Sequence, residues 1–286
     1  MYNKKLNPLL KLLVLIFFFL SINASSHRYN EKFQETYKVK PGTEISVYNR
    51  NGSIEIKKWD KDEVSVVALK GTNWGKSELD KVKIEVNMNG NMEIRTEFLK
   101  KRAKVSVNYE IKVPEVVMVS QIESSNGSIE LEGTKGPSKL KTSNGSIEVE
   151  ETTGNIEAET SNGKIKVKNV DGFVSARTSN GAINIKGSGG LRKAKTSNGK
   201  IEVEIPEIKG DEVEIETSNG SIDLYVSPEL NADIEMDTSN GKIEIHNVEL
   251  TVEKLQKTYV KGKLGKGGKK IIVGTSNGSI DLYKLR

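Results

Sequence analysis

Apolar and polar residues alternate strictly over much of this chain, in short runs separated by glycine-containing turns. Residues 144–161 show the unit: Asn-Gly-Ser-Ile-Glu-Val-Glu-Glu-Thr, then Thr-Gly-Asn-Ile-Glu-Ala-Glu-Thr-Ser. In each nine-residue half a turn leads into an alternation, Ile147 and Val149 first, then Ile156, Ala158 and Thr160. A period of two predicts a strand with one buried face. The pattern continues through Ile165 and Val167, Val174 and Ala176, Ile183 and Ile185, and Ile201 and Val203, with Glu, Lys, Arg and Asn outward. Helical periodicity is missing from this region.

The turns recur with equal strictness. Glycine occupies positions 127, 136, 145, 154, 163, 172, 181, 190 and 199. Every second one closes the phrase Ser-Ser-Asn-Gly (124–127) or Thr-Ser-Asn-Gly (142–145, 160–163, 178–181, 196–199), which returns at 217–220, 238–241 and 275–278. So fixed a period is the mark of stacked units. It predicts an all-β, single-stranded β-solenoid of about 18 residues per coil, in which two strands face each other and successive coils pair in parallel about 4.8 Å apart. The rival, an antiparallel meander turning at each Asn-Gly, leaves an apolar face with no helix to cover it. A hexapeptide β-helix needs apolar positions six apart, whereas the spacing here is nine.

Stacking also accounts for the polar columns. Asn126, Asn144, Asn162, Asn180 and Asn198 are placed to hydrogen-bond from coil to coil, and Asn and Gly suit the positive φ of tight corners. Thr142, Thr160, Thr178 and Thr196 form a matching inward column. Outward, Lys139 and Lys141 fall beside Glu157 and Glu159, then Ser175 and Arg177, Lys193 and Lys195, and Glu214 and Glu216. Such mixed signs relieve repulsion by about a few tenths of a kcal/mol per pair, although like neighbours such as Glu130 and Glu148 remain. These charges read as a solvated face.

Three regions depart from the regular ladder. Residues 1–26 carry Lys4, Lys5 and Lys11 around the uncharged run Leu12–Leu20, then Ala24, Ser25 and Ser26, the layout of a secretory signal peptide. The run is short for a membrane span; an uncleaved anchor is the alternative. Residues 27–120 form a less regular β region with alternation at 64–69, 82–88, 92–98 and 105–113, an Asn89-Gly90 hairpin turn and most large aromatics (Tyr48, Trp59, Trp74, Phe98, Tyr109). It is expected to cap one end of a solenoid spanning 121–286. After Gly199 the spacing stretches around 206–209, 228–231 and 248–270.

Composition narrows the function classes. The chain holds 44 basic and 39 acidic residues, and without Lys4, Lys5 and Lys11 the remainder is close to neutral, giving little support for nucleic-acid binding. Cysteine is absent, which excludes disulfides, thiol catalysis and a lipidated cysteine. His27 and His246 are the only histidines, so a histidine-based triad or multi-histidine metal site is not expected. Acidic residues fill outward slots throughout, and none stands out as a glycosidase pair. The corners lack the Asp-rich consensus of calcium β-rolls, Asp171 being the lone case in the strict run. The 262–269 segment lacks the Gly-Lys-Ser/Thr ending of a phosphate loop. One threonine per coil, facing inward, does not make an ice-binding face, and the Asn-Gly-Ser sequons at 51, 126, 144, 219 and 277 follow from the corner phrase. No cofactor is expected. The sharpest candidate is a flexible basic insert with Lys254, Lys257, Lys261, Lys263, Lys266, Lys269 and Lys270 against Glu249 and Glu253, suited to anionic glycans, wall polymers or lipid head groups.

Several phrases carry a resemblance: Asn51-Gly-Ser-Ile-Glu-Ile56 followed by Trp59-Asp60, Tyr109-Glu-Ile-Lys-Val-Pro114, the tandem Thr-Ser-Asn-Gly-x-Ile units, and Gly262–Gly268 followed by Thr275–Ile280. Over residues 33–286 the chain resembles the bacterial candidate-adhesin family of β-strand-repeat proteins. The resemblance implies a β-solenoid exported to or displayed at the cell envelope, and supplies no catalytic residues; fold likeness does not settle function. The expected function is an exported, non-enzymatic module for adhesion, binding or scaffolding, with envelope glycans or envelope proteins as partners. The alternatives are an envelope carbohydrate-active enzyme and an accessory of an envelope-stress system.

Overall fold

The Thr-Ser-Asn-Gly corner is the joint around which the chain folds. In the computed structural model, which describes residues 27–285, the strand before each corner lies in one sheet and the strand after it in another. The sheets have 13 and 12 strands and are mainly parallel. Each coil is named here by its corner asparagine. The Asn144 coil joins Ser138–Asn144 to Ile147–Glu150, and the Asn162 coil joins Ile156–Asn162 to Ile165–Lys168. They pair in register, Leu140 on Ala158 and Val149 on Val167. The same relation links the Asn126 coil (Met118–Glu123, Ile129–Glu132), the Asn180 coil (Phe173–Asn180, Ile183–Lys186) and the Asn198 coil (Gly190–Asn198, Ile201–Ile205). The all-β solenoid read from the period is therefore the fold, and the meander is excluded by the parallel ladders. The signal-peptide reading of 1–26 lies outside the described residues.

Inward residues of the two sheets form one continuous core: Leu140, Ile147, Val149, Ala158, Ile165 and Val167 are each at most 1% exposed. Small Ala158, Ala176 and Ala194 share one column, which suits a narrow interior. The corner threonines point into this core, and each hydroxyl donates to a corner glycine carbonyl of the adjoining coil. Thr142, Thr160, Thr178 and Thr196 reach Gly127, Gly145, Gly163 and Gly181 at 2.9–3.1 Å. The asparagine ladder runs unbroken from Asn51 through Asn126 to Asn240, each amide Nδ2 donating to the next Oδ1 at 2.8–2.9 Å.

The corner glycine has a different cause from the one expected. Positive φ is not what these corners need: Gly145 and Gly163 are not among the positive-φ residues. A Cβ on Gly163 would lie 2.0 Å from the Gly145 carbonyl oxygen, so stacking at coil spacing demands a bare Cα. Left-handed backbone occurs instead at the opposite corner, where Gly133, Glu151, Asn169 and Gly187 have φ of 67, 54, 52 and 58°.

Both ends break the sequential order. The Asn51 coil (Glu44–Tyr48, Ile54–Lys58) sits between the Asn126 coil and an outer coil made by Met92–Phe98 and Ser106–Val113. Val82–Asn87 pairs antiparallel with Met92–Phe98 around the Asn89-Gly90 turn. Glu63–Thr72 and then Tyr29–Lys38 extend the other sheet antiparallel. At the far end the chain passes from the Asn219 coil (Glu212–Asn219, Ile222–Val226) to the outer Asn240 coil (Ala232–Asn240, Ile243–His246). It then returns to place the Asn277 coil (Lys269–Asn277, Ile280–Lys284) between them. No helix of the described residues is long and apolar enough to cross a membrane.

Candidate functional site

Along the regular body, outward charges are matched from coil to coil. Lys166 meets Glu148, Lys193 meets Glu214, Lys195 meets Glu216, and Lys186 lies 2.6 Å from Glu202. Where like charges stack, as Glu55, Glu130 and Glu148 do, a neighbouring lysine answers them: Lys57 lies 2.9 Å from Glu130 and 3.0 Å from Glu55 and from Glu132. These carboxylates, Glu130 first, hold the Lys57 ammonium well above its ordinary value. Likewise Lys186 lowers Glu202, and Lys195 lowers Glu216.

The C-terminal end differs because its repeat carries rings. The phrase Ser-Ile-Asp-Leu-Tyr occurs at 221–225 and at 279–283, and the interposed Asn277 coil brings the copies into register, Asp223 on Asp281 and Tyr225 on Tyr283. The outer coil adds Glu244 and His246 to the same columns. The Tyr225 and Tyr283 rings stack at 5.0 Å with planes 19° apart, and His246 stacks on Tyr283 at 4.5 Å and 12°. Nε2 of His246 lies 3.0 Å from Asp281 Oδ1, while Ser279 Oγ donates to Oδ2 at 3.0 Å. Asp223 is paired with Lys200, and Glu244 with Lys242. Partial burial first, then the Asp281 charge, raises the Tyr283 hydroxyl.

The three stacked rings, Tyr225, Tyr283 and His246, line an open depression of about 630 Å³ with Glu204, Asn247, Lys284 and Leu285. Glu244, His246 and Asp281 offer ligand atoms within 4.8 Å of one another, an oxygen and imidazole set that suits a borderline divalent cation. The sequence alone marked His246 as one of two histidines but did not bring it together with Asp281 or the tyrosines. The signal that could have found them is the duplicated Ser-Ile-Asp-Leu-Tyr phrase.

The predicted basic insert is ordered β structure. Thr251–Gln256 and Tyr259–Leu264 form an antiparallel hairpin whose second strand pairs with Ala232–Asn240 and closes the 13-stranded sheet. Lys261 and Lys263 both reach Glu253, at 3.6 and 3.4 Å, and Lys254 lies 4.6 Å above the Tyr259 ring. Lys257 sits in the turn, and Lys266 is exposed in the loop that follows. Lys269 is committed to structure, its Nζ donating to the Ile208 carbonyl at 2.6 Å, and Lys270 is in register with Glu212 and Asp233. The seven lysines therefore divide into a hairpin group and a structural pair. Beside the hairpin group, Val252 and Leu255 are 45% and 65% exposed.

Several solved structures align with most of this chain at low identity. A candidate cell adhesion protein from Clostridium sporogenes is 14% identical, with 89% of this chain and 100% of that one covered and a TM-score of 0.28. A candidate adhesin from Bacteroides fragilis is 13% identical (88% and 97% covered, TM-score 0.47). A candidate lipid-binding protein from Parabacteroides distasonis is 17% identical (89% and 97%, TM-score 0.41). No protein of curated function matches the sequence. The model of one family does match, from residue 42 to residue 283, spanning nearly the whole described solenoid, and the chain belongs to that family, Toastrack DUF4097.

Proposed function

We propose that this protein is an exported, non-enzymatic module of the cell envelope, a stiff spacer that binds through its ends. The observation that carries this reading is the distribution of unmatched groups. In the body, most outward charges find a partner about one coil away, so the long faces are largely occupied by their own ion pairs. Groups outside this matching collect where stacking stops: Lys257 and Lys266 at the hairpin are exposed and make no ion pair among the described residues, and the Tyr225–Tyr283–His246 rings stack beside the last coil. A shallow, open arrangement of rings, carboxylates and lysines favours holding an extended polymer over enclosing a reacting bond. Anionic glycans and wall polymers are the partner class that the hairpin lysines fit.

The test is a glycan and polymer binding screen of residues 27–286. It is repeated with a hairpin variant (K254Q, K257Q, K261Q, K263Q, K266Q) and with Tyr283→Ala. Retention of anionic polymers that falls with salt, and falls again in the hairpin variant, is the expected result. Retention indifferent to both salt and these substitutions would overturn the reading. Release of new chain ends from a bound glycan would move the protein to the enzyme class.

A further inference from the structure

The opposite end of the solenoid carries a second surface, built from segments far apart in sequence. The outer coil turns its corner through residues 99–105, which stack on the asparagine column: Val107 N donates to the Asn51 carbonyl at 2.7 Å, and Asn51 Nδ2 reaches the Val105 carbonyl at 3.5 Å. This corner departs from the Asn-Gly phrase. It reads Leu99-Lys-Lys-Arg-Ala-Lys104, with all four basic residues exposed. Lys100, Lys101 and Arg102 make no ion pair among the described residues, in contrast to the lysines of the body.

Trp74 stands on the same surface, 68% exposed, with Lys104 Nζ 3.2 Å from its ring centroid, and Leu99 is 51% exposed. Thr72 ties the two segments by donating to the Lys104 carbonyl at 2.6 Å. The nearby acid Glu78 is already taken by Lys81 and by the Lys104 backbone N–H, leaving exposed Asp80 as the acidic neighbour in that turn. An exposed tryptophan beside a leucine and a cluster of unpaired cations has the chemistry of the headgroup zone of an anionic bilayer, where the indole sits at the boundary and the cations meet lipid phosphates. The path of the chain points the same way. Arg28 N donates to Asn73 Oδ1 at 2.8 Å, so the described chain begins beside Trp74. Where the apolar run ending at Leu20 is retained as the uncleaved anchor, the seven residues between it and Arg28 span at most about 30 Å.

From these observations we infer that the N-terminal end of the solenoid docks on an anionic lipid surface through Trp74, Leu99 and the 100–104 cations, standing the solenoid away from the membrane. This surface lies at the end remote from the hairpin lysines and does not depend on what they bind.

Residues 27–286 carry every described strand, so that chain is mixed with phosphatidylcholine vesicles with or without phosphatidylglycerol, and followed by co-sedimentation and tryptophan emission. Binding is expected only with phosphatidylglycerol, together with a blue shift that Trp74→Phe abolishes while Trp59 remains. Each basic residue brought to an anionic leaflet raises partitioning about fivefold, so K100Q/K101Q/R102Q lowers it on the order of a hundredfold. The hairpin variant retains binding. Vesicle binding that survives the triple substitution overturns the inference. So does retention by soluble polyphosphate as strong as by vesicles with no Trp74 shift, which would make the patch a polymer site.

Discussion

Replacing threonine by valine at two buried positions eight residues apart should change stability in opposite directions. Thr160 is 3% exposed, and its hydroxyl donates to the Gly145 carbonyl at 2.9 Å. Valine keeps the shape, removes that hydrogen bond and sets a methyl group against a desolvated carbonyl, at a cost of about 1–3 kcal/mol. Thr152, at the opposite corner, is 2% exposed, and its Oγ1 has no hydrogen-bond partner among the described residues. There valine removes a hydroxyl already stripped of water, and a gain of about 1 kcal/mol is expected. For a chain of this size each kcal/mol moves Tm by about 2–4 °C, so T160V and T152V should melt on either side of the parent, separated by roughly 4–16 °C at these per-site costs. Stacked repeats can lose two-state behaviour. Urea midpoints and slopes followed by far-ultraviolet circular dichroism therefore accompany the thermal scans, and an unchanged slope licenses the comparison. Two variants that shift in the same direction, or a T160V within about 0.5 kcal/mol of the parent, would refute the claim that the corner threonine column bonds the coils.

Gly163→Ala places a Cβ 2.0 Å from a backbone oxygen that cannot rotate away, so it should cost about 3 kcal/mol or more. Gly42→Ala, where nothing lies within 4 Å and only the φ of 81° is strained, should cost about 1 kcal/mol; equal losses in urea titrations would contradict the close-stacking explanation. Burial pushes the Tyr109 hydroxyl well above its ordinary value, with Thr96 as its hydrogen-bond partner at 2.6 Å. The unfolded chain therefore loses this proton first as pH rises through about 10. The tyrosine's contribution is fully present below that pH and is lost above it. Tyr109→Phe has no such proton, so its stability relative to the parent should improve as pH is raised past 10, and parallel pH profiles would rule this out.

The sequence carried the body of the fold because one physical rule repeats there. With a period of 18, each residue meets its equivalent, so strand, face, register and neighbour all follow from one count, as Lys139 beside Glu157 and Asn144 beside Asn162 show. Two kinds of information were beyond that count. The reason for Gly163 was misassigned, because positive φ and close approach select the same residue type and only the carbonyl of the stacked coil tells them apart. The coil order at the ends was also hidden. Nothing local to Asn277 says that it lies between Asn219 and Asn240, and without that order Asp281 cannot be brought to His246, nor Tyr283 to Tyr225. The hairpin at 251–264 was read as a flexible insert because its first strand is exposed throughout, with Val252 and Leu255 out of phase, while Gly262 interrupts the alternation between Val260 and Leu264 in the second.

The same interposition explains why unpaired cations and stacked rings collect at the ends and not along the faces. A parallel solenoid offers an unpaired edge at each end, and that edge would accept a coil from another copy. Here antiparallel strands close both sheets at one end, through Val82–Asn87 and Glu63–Thr72, and the 251–264 hairpin closes the 13-stranded sheet at the other, where Ile243–His246 is the edge of the 12-stranded sheet. Closure locks one coil behind another, Asn51 behind the outer N-terminal coil and Asn277 behind Asn240. The antiparallel strands break the 18-residue register, so side chains there have no equivalent neighbour to pair with. Lys100, Lys101, Arg102 and Trp74 at one end, and Lys257, Lys266 and Leu255 at the other, are left facing solvent for that reason. In a fold whose body pairs most of its own surface charges, capping the stack is what leaves these groups unpaired, and the proposed binding rests on them.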